Sequence, residues 1–576
     1  MSRLNAEQKT VENFLGDRKN FFLIPDYQRP YAWEDEECIK LWDDILAFSF
    51  PNNDWTEFRD DDDYFLGSLV LFKNEHGIFE VIDGHQRLIT LTLMLRAFYQ
   101  AYGDRMTDED SHDAKRDIAK CLWKTPPSGS LPDMSKLKII SEVITEGENE
   151  EFLHIMLTGE AEKKHKSRYA KNYRLFQRQI KKFLEDYPSY FPFMPERILV
   201  NCSMLPIEAE SQDTALRIFS TLNDRGKPLS DSDIFKAKLY KAYSDNGKKD
   251  WFIQKWKEFE NTCGKISVLG KSNPIDDIFM RYMHCLRASK GVRDTTVDAL
   301  RDFYGRDDTK FSPLKRDYTQ TFSNLIILAD FWKDITALDR DRFSERVCKS
   351  LFILHYVPNN IWTFLVSVYF MTNKSADKTL DDENFYNFLQ KIIGFFLASR
   401  IIRPVNPTPF FNAMADVANG RDASFIGYKF DPEELRSRML GFDFNDSKKI
   451  TRGIIAWYVF QDERQEVLSL ETHFDTEHIY PRARREREGL IDAKNFESLG
   501  NKSLLEKNIN IRASDYRFQD KTKYYLGTPE KAGTKINELK ELAQTREDFT
   551  ERDIIERNKK IINSFINFIK ANNLTI

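Results

Sequence analysis

Apolar residues recur along the chain with two different periods. The runs "YFLGSLVLF" (64–72) and "FEVI" (79–82) are short and rich in β-favouring residues. The polar "KNEHG" between them predicts two neighbouring strands joined by a turn. Leu88, Leu91, Leu95 and Phe98 follow at helical spacing. From about residue 245 to 440 the pattern has the 3.6-residue period of "NFLQKIIGFFLASRII", which predicts a helical region. The last part opens with the helix-like "GIIAWYVFQDERQ", crosses a zone rich in Arg and Asn, and ends in "DIIERNKKIINSFINFIKANN". The pattern thus predicts an α+β multidomain chain: a mixed α/β region over 1–240, an α-helical middle over 241–440, and a loop-containing module set among helices over 441–576.

Composition narrows the picture. A chain of 576 residues exceeds a single core, and 45 Phe give it ample material for burial. The 86 basic and 91 acidic side chains leave a net charge of −5, so a nucleic-acid partner needs a local basic face. Six cysteines without a CxxC pair argue against a disulfide framework or zinc knuckle and point to a reducing cytoplasm. In Leu351–Met371 the Pro-Asn-Asn at 358–360 splits an apolar stretch into pieces shorter than the ~20 residues a membrane span needs. Buried helices, and no membrane partner, are expected there.

Two polar knots interrupt the apolar pattern. The first is Asp83-Gly84-His85-Gln86-Arg87, between the second strand and its helix. One account is structural: Asp83 caps the helix and Gln86 completes a capping box. The other uses the same geometry for chemistry. A helix N-terminus attracts phosphate, Gly84 lets it approach the backbone, Arg87 grips it, Gln86 orients a water, and Asp83 holds a metal or polarises water. Two further segments add to the second account. "IPDYQRPYAW" (24–33) sets Gln28 and Arg29 among Tyr27, Tyr31 and Trp33, and "FSTLNDRGKPLSDSDIFKAK" (219–238) holds an Asn-Asp-Arg-Gly turn before a helix capped at Ser230 or Ser232.

The second knot is "THFDTEHIYPRARREREGLIDAKNFESLGNKSLLEKNINIRASDYRFQDK". His478 follows Glu477, and Asn501, Asn508 and Asn510 lie beyond a Gly turn. Phosphodiester hydrolysis needs a neutral imidazole to take a proton from water, and a hard cation held by carboxylate and amide oxygens. Glu477 and Asn501 offer that ligand chemistry beside His478. Arg482, Arg484, Arg485, Arg487, Lys502, Lys507, Arg512, Arg517, Lys521 and Lys523 offer charge for a phosphate backbone. A lone structural His and a solvated charged helix remain the plain alternatives.

The ordered set "IPDYQRPYAW", "YFLGSLVL", "VIDGHQR" and "TLNDRGKPLSDSDIFKAKL" resembles the N-terminal domain of GmrSD-type modification-dependent restriction proteins. The resemblance implies a ParB/sulfiredoxin-like fold associated with nucleoside triphosphate hydrolysis. It makes Asp83, Gln86 and Arg87 catalytic, and Gln28, Arg29, Gly84, His85 and Arg87 nucleotide-binding, with Tyr27 in support. The family usually has Asp-Gly-Gln-Gln-Arg, and this chain has His85 at the first Gln. The set "EHIYPRA", "LGNKSLLEKNIN" and "FQDK" resembles the HNH-type nuclease domain of the same proteins. That resemblance implies a ββα-metal finger with His478 as general base, Glu477 and Asn501 as ligands of Mg2+ or Mn2+, Asn501 also in the catalytic set, and Asn510 in support. The implied partners are double-stranded DNA carrying a glucosylated base or, as in SspE-like sensors, a phosphorothioate, together with GTP, UTP, CTP or ATP. A homodimer is an open alternative, as is a non-catalytic, NTP-switched DNA-binding protein.

Overall fold

The computed structural model describes residues 5–576 apart from 60, 104–108, 127–130, 144–146, 163, 212–213, 216–217, 219–229, 267–272, 306–311, 358, 403–405, 424, 446–447 and 490. The chain forms two compact units, Met1–Lys257 and Glu258–Ile576. The Asn-Asp-Arg-Gly turn at 223–226 lies outside the described residues.

The first unit is built on a seven-stranded mixed sheet. Its strands are β1 (Asn5–Ala6), β2 (Lys9–Thr10), β3 (Phe22–Ile24), β4 (Tyr64–Lys73), β5 (Phe79–Asp83), β6 (Ile139–Ser141) and β7 (Cys202–Ala209). The spatial order is β1-β7-β4-β5-β3-β6, with β2 also on β7. The two strands read from the sequence pair antiparallel, with Lys73 opposite Phe79. β4 runs parallel to β7, and β3 runs parallel to both β5 and β6.

Helices α1 (Asp35–Ser49), α2 (His85–Tyr102), α3 (Arg168–Asp186) and α4 (Asp231–Asp245) accompany the sheet. α2 is buried nearly all round, so its polar residues need internal partners. Thr90 and Thr92 donate back to the carbonyls of Gln86 and Leu88, and Arg96 Nε donates to the carbonyl of Met156 at 3.0 Å. Ser230 caps α4 in a capping box with Asp233.

The second unit begins with helices, among them α5 (Pro274–Ser289), α6 (Tyr318–Ala337), α7 (Glu345–His355), α8 (Ile361–Asn373), α9 (Asp382–Ile402) and α10 (Lys449–Val459). The apolar stretch around Pro358 is indeed divided, between α7 and α8. Among the described residues no helix is long and apolar enough to cross a membrane.

The C-terminal part then gives β8 (Phe474–His478), α11 (Arg482–Glu488), α12 (Ala493–Phe496), β9 (Lys502–Glu506), α13 (Lys507–Ala513), α14 (Phe518–Leu526), α15 (Asn537–Thr545) and α16 (Glu551–Ala571). β8 and β9 pair antiparallel, with Glu477 opposite Ser503 and His478 opposite Lys502. Arg557 of α16 fixes the approach to β9. It donates from Nη1 to the carbonyls of Leu499, Gly500 and Lys502, while Glu538 of α15 holds its other edge.

Gly500 lies against α16 so closely that a Cβ would overlap the carbonyl oxygen of Ile554 and the Cβ of Asn558. Gly500→Ala therefore forces α16 away from the hairpin and should destabilise the unit by roughly 3 kcal/mol. Thermal unfolding checks this, and an unchanged melting temperature would contradict the packing described.

Candidate functional site

In the first unit the polar knot turns from β5 into α2, and the helix start differs from the capping box read in the sequence. Gly84 is the N-cap, with φ +88°, and no side chain caps the helix. Asp83 Oδ1 accepts instead from the N–H of Gly84 at 2.7 Å. Gln86 is turned inward, where its Oε1 accepts from the N–H of Ala32 at 2.7 Å and its Nε2 donates to the carbonyl of Pro30 at 3.0 Å. Its carboxamide thus fastens the 24–33 loop to α2.

Gln28 does the same work from the other side, its Nε2 donating to the carbonyl of Ile82 at 2.9 Å. The aromatic residues of the loop also face inward. Tyr27 packs its ring 4.7 Å from Tyr240, and Tyr31 shares a hydrogen bond with Thr90 and accepts one from Asn172. Tyr27 and Tyr31 are both buried.

Gly84 is required for a reason the sequence did not show. Beyond its positive φ, a Cβ there would overlap Leu69 of β4, so the space over its Cα is filled by a side chain. Gly67 is the other special glycine, with φ +118°, and a Cβ there would meet the guanidinium of Arg87. That guanidinium lies across the bare backbone of β4 and donates to the carbonyl of Ser68 at 3.1 Å.

His85 is buried and neutral. Gln86 Nε2 lies 2.7 Å from His85 Nε2, so that ring nitrogen accepts. Burial, with the neighbouring positive charge of Arg29, pushes the imidazole down to about 3. It thus serves as a donor–acceptor residue in place of a glutamine, and the charge that a histidine offers is absent at neutral pH. The half-buried polar side chains here are Asp83 and Arg87 of the knot and Arg29 of the 24–33 loop. Burial raises the Asp83 carboxyl, against the pull of Arg87 and Arg29. Burial likewise lowers Arg87, which Asp83 opposes.

In the second unit the hairpin separates residues that are adjacent in sequence. Successive side chains of a strand face opposite sides. Glu477 points into the core, where its Oε1 accepts from Lys521 Nζ at 2.7 Å and from the hydroxyl of Tyr525. Both members of that ion pair are buried, at 3% and 1% side-chain exposure. Burial raises the Glu477 carboxyl, and Lys521 opposes the shift. Lys521 also donates to the carbonyl of His478 at 2.7 Å, tying α14 to the end of β8.

Asn501 is fully buried. Its Oδ1 accepts from the N–H of Tyr480 at 2.7 Å, and its Nδ2 donates to the carbonyls of Tyr480 and Phe496 at 3.1 and 3.2 Å. Its own carbonyl accepts from the N–H of Ile479 at 2.9 Å. The two groups expected as metal ligands are thus both engaged within the protein. One carboxylate oxygen holds an internal ammonium and a hydroxyl on the face away from His478, and the carboxamide is fully engaged with backbone. Asn501 fixes the chain just after His478. Asn510, on α13, is half-buried, and its carboxamide makes no hydrogen bond to a described residue. Among the described residues no group of three or more His, Cys, Asp or Glu could hold a metal ion.

His478 turns to the other face. Its ring lies parallel to that of Phe496, with centroids 5.0 Å apart and 3° between planes. Its Nε2 is 4.0 Å from Oε2 of Glu497, which also pairs with Lys502 at 2.8 Å and, through Oε1, with Arg482 at 3.5 Å. Sequence reading missed Glu497, which the turn after α12 brings beside His478. It also took Lys502 and Lys521 for phosphate-facing charges, although both are buried in ion pairs. Arg484 is similarly held by Glu488 and Asp548. Of the cations named from the sequence, Arg482, Arg487, Lys507, Arg517 and Lys523 are exposed, Arg517 being paired with Glu488.

Two family models match the chain: the N-terminal domain of the GmrSD restriction endonucleases over residues 11–240, and their C-terminal domain over residues 431–564. Together they account for more than half of its length. No curated protein matches it.

The neutral His85 yields a pH dependence with a definite sign. An imidazole held down to about 3 in the folded state, against an ordinary 6.5, lets the unfolded chain bind the extra proton between those values. The stability is fully present above pH 6.5 and is lost as pH falls toward 3, by up to about 1.4 kcal/mol per pH unit. His85→Gln should remove that slope from acid unfolding of the first unit. An identical pH profile for the two proteins would contradict a buried neutral ring.

Proposed function

We propose a reaction for a chain that belongs to the GmrSD-type restriction endonucleases: NTP-linked recognition of modified DNA, followed by hydrolysis of its phosphodiester backbone, in bacterial anti-phage defence. The observation that carries the hydrolytic half is the placement of His478. It sits at the end of a strand, on the face opposite a buried ion pair, with the following chain locked by Asn501. In this reading His478 takes a proton from the attacking water while the leaving oxygen departs from phosphorus. Arg482, Arg487, Lys507 and Lys523 supply charge toward the DNA backbone. The HNH-type ββα assignment rests on the order β8, β9, α13 together with the quoted motifs.

The NTP-binding half, and the ParB-like assignment with it, rests on the β5–α2 turn. An uncapped helix N-terminus with the guanidinium groups of Arg87 and Arg29 suits a phosphate, and Asp83 is the carboxylate beside it. Bound NTP would supply a hydrolysable phosphoanhydride there. Gln28, Gly84, His85 and Gln86 shape the turn from beneath. The Mg2+ or Mn2+ requirement that the family resemblance implies finds no support in Glu477 or Asn501, so no step is routed through an ion.

One cleavage matrix tests the proposal. Supercoiled plasmid carrying glucosylated hydroxymethylcytosine, phosphorothioate or no modification is incubated with Mg2+, Mn2+ or EDTA, with and without each of the four NTPs. Modified plasmid should be cut and unmodified plasmid spared, with the rate raised by NTP. Absence of scission in every arm would leave a non-catalytic DNA-binding protein in its place. Arg87→Ala should abolish phosphate release from NTP, and turnover at the unmutated rate would reject the β5–α2 turn as the nucleotide site.

A further inference from the structure

Between Glu162 and Glu185 the chain carries nine Lys or Arg and neither Asp nor Glu, in a protein whose net charge is −5. Helix α3 spans most of that stretch, and its two faces differ. Tyr169, Tyr173, Phe176, Ile180 and Phe183 are buried in the core of the first unit. Lys171, Arg178, Lys181 and Lys182 are exposed. Steps of three, four and seven residues set these cations in one stripe, which rises about 16 Å from Lys171 to Lys182. Arg174 donates back to the carbonyls of Glu162 and His165 at 3.0 Å each, holding the loop that carries the exposed Lys166 against the helix. The stripe is firmly mounted. Asn172 Nδ2 donates to the hydroxyl of Tyr31 and the carbonyl of Trp33, both at 2.9 Å, and so ties α3 to the 24–33 loop.

A helix face that only meets water ordinarily alternates in sign, because opposite charges three or four residues apart stabilise it and like charges destabilise it. On α3 the neighbours at those spacings are alike: Lys171 with Arg174, and Arg178 with Lys181 and Lys182. Among the described residues its ion pairs stand toward its ends, Arg168 to Glu34 at 3.1 Å and Lys181 to Glu185 at 3.8 Å. The exposed acids nearby are gathered instead on α1, at Asp35, Glu36, Asp43 and Asp44, and α1 packs beside α3 with Trp42 6.3 Å from Phe183. The two signs are thus segregated onto adjoining helices. A basic helix that lies on a membrane buries its apolar face among lipid, and that face of α3 is already filled by the core. A polyanionic duplex needs only the cations. We propose that the outer face of α3 is where the first unit docks duplex DNA, gripping phosphates without reading bases. The loop that Asn172 holds is the one Gln86 fastens to the β5–α2 turn, so the docked duplex bears on the frame of the proposed nucleotide site. This inference rests on the DNA-directed function given above and adds the surface at which the first unit meets its substrate.

The test is a fluorescence-anisotropy titration of a short labelled duplex with the full chain over a series of salt concentrations. It compares the unmutated protein with the triple variant Lys171→Gln, Arg178→Gln, Lys182→Gln. Glutamine keeps the helix propensity of these exposed positions, and relief of like-charge repulsion should leave the melting temperature equal or higher. Each lost phosphate contact removes about 0.9 from the slope of log affinity against log salt, so the slope should become shallower by about 2 to 3. Affinity near ~0.1 M salt should fall about 100-fold. The loss should be the same for modified and unmodified duplex, because phosphate contacts carry no base information. Unchanged affinity and slope in the folded variant would overturn the proposal. If the substitutions weaken binding to phosphatidylserine vesicles and leave duplex binding as it was, the face serves a membrane and the proposal falls. An unmutated chain that binds duplex but never cuts it would bring down the hydrolytic reading alone, because the salt slope still decides the role of α3.

Discussion

The C-terminal site depends on the pleat of one five-residue strand. Because side chains alternate across β8, Glu477 and His478 cannot share a face. The carboxylate goes inward, where leaving either partner of the Glu477–Lys521 pair alone would cost about 3–5 kcal/mol. The imidazole goes to the opposite face, against Phe496 and Glu497. Lys521 joins the two faces, because the same ammonium that neutralises Glu477 also holds the carbonyl of His478. The buried pair thus supports the strand end that carries His478, and the bonds of Asn501 to Tyr480 and Phe496 keep that end from shifting.

The N-terminal knot follows the same division between support and reagent. Gln28, His85 and Gln86 use their hydrogen-bonding groups on backbone, and Gly67 and Gly84 supply space for Arg87 and Leu69. What stays half-buried is a carboxylate and two guanidinium groups at the start of a helix. A neutral imidazole performs the hydrogen bonding that a carboxamide would, so the departure from the family pattern at His85 leaves the loop–helix connection intact.

Much of the architecture was legible in the sequence because it is written in local periodicity. The strands β4 and β5, the turn between them, the long helices α2, α9 and α16, and the cap at Ser230 all follow from patterns within a few residues. The site residues were legible as a set of types, less so as roles. Asp83 looks like a cap until the strand end turns its carboxylate onto its neighbour's N–H. Glu477 looks like a ligand because it adjoins His478, and only a pairing with Lys521, 44 residues away, shows where it points. Lys502 reads as a surface cation, yet it is buried between Phe444 and Glu497. Such partners come from tertiary contacts that no local pattern records.

The account turns on His478 being the group that activates water. The most direct measurement compares His478→Ala with the unmutated chain in strand scission of modified plasmid, with folding and DNA binding followed in parallel. A folded, DNA-binding variant that leaves the plasmid intact is the predicted result. Scission at the unmutated rate by that variant would contradict the account.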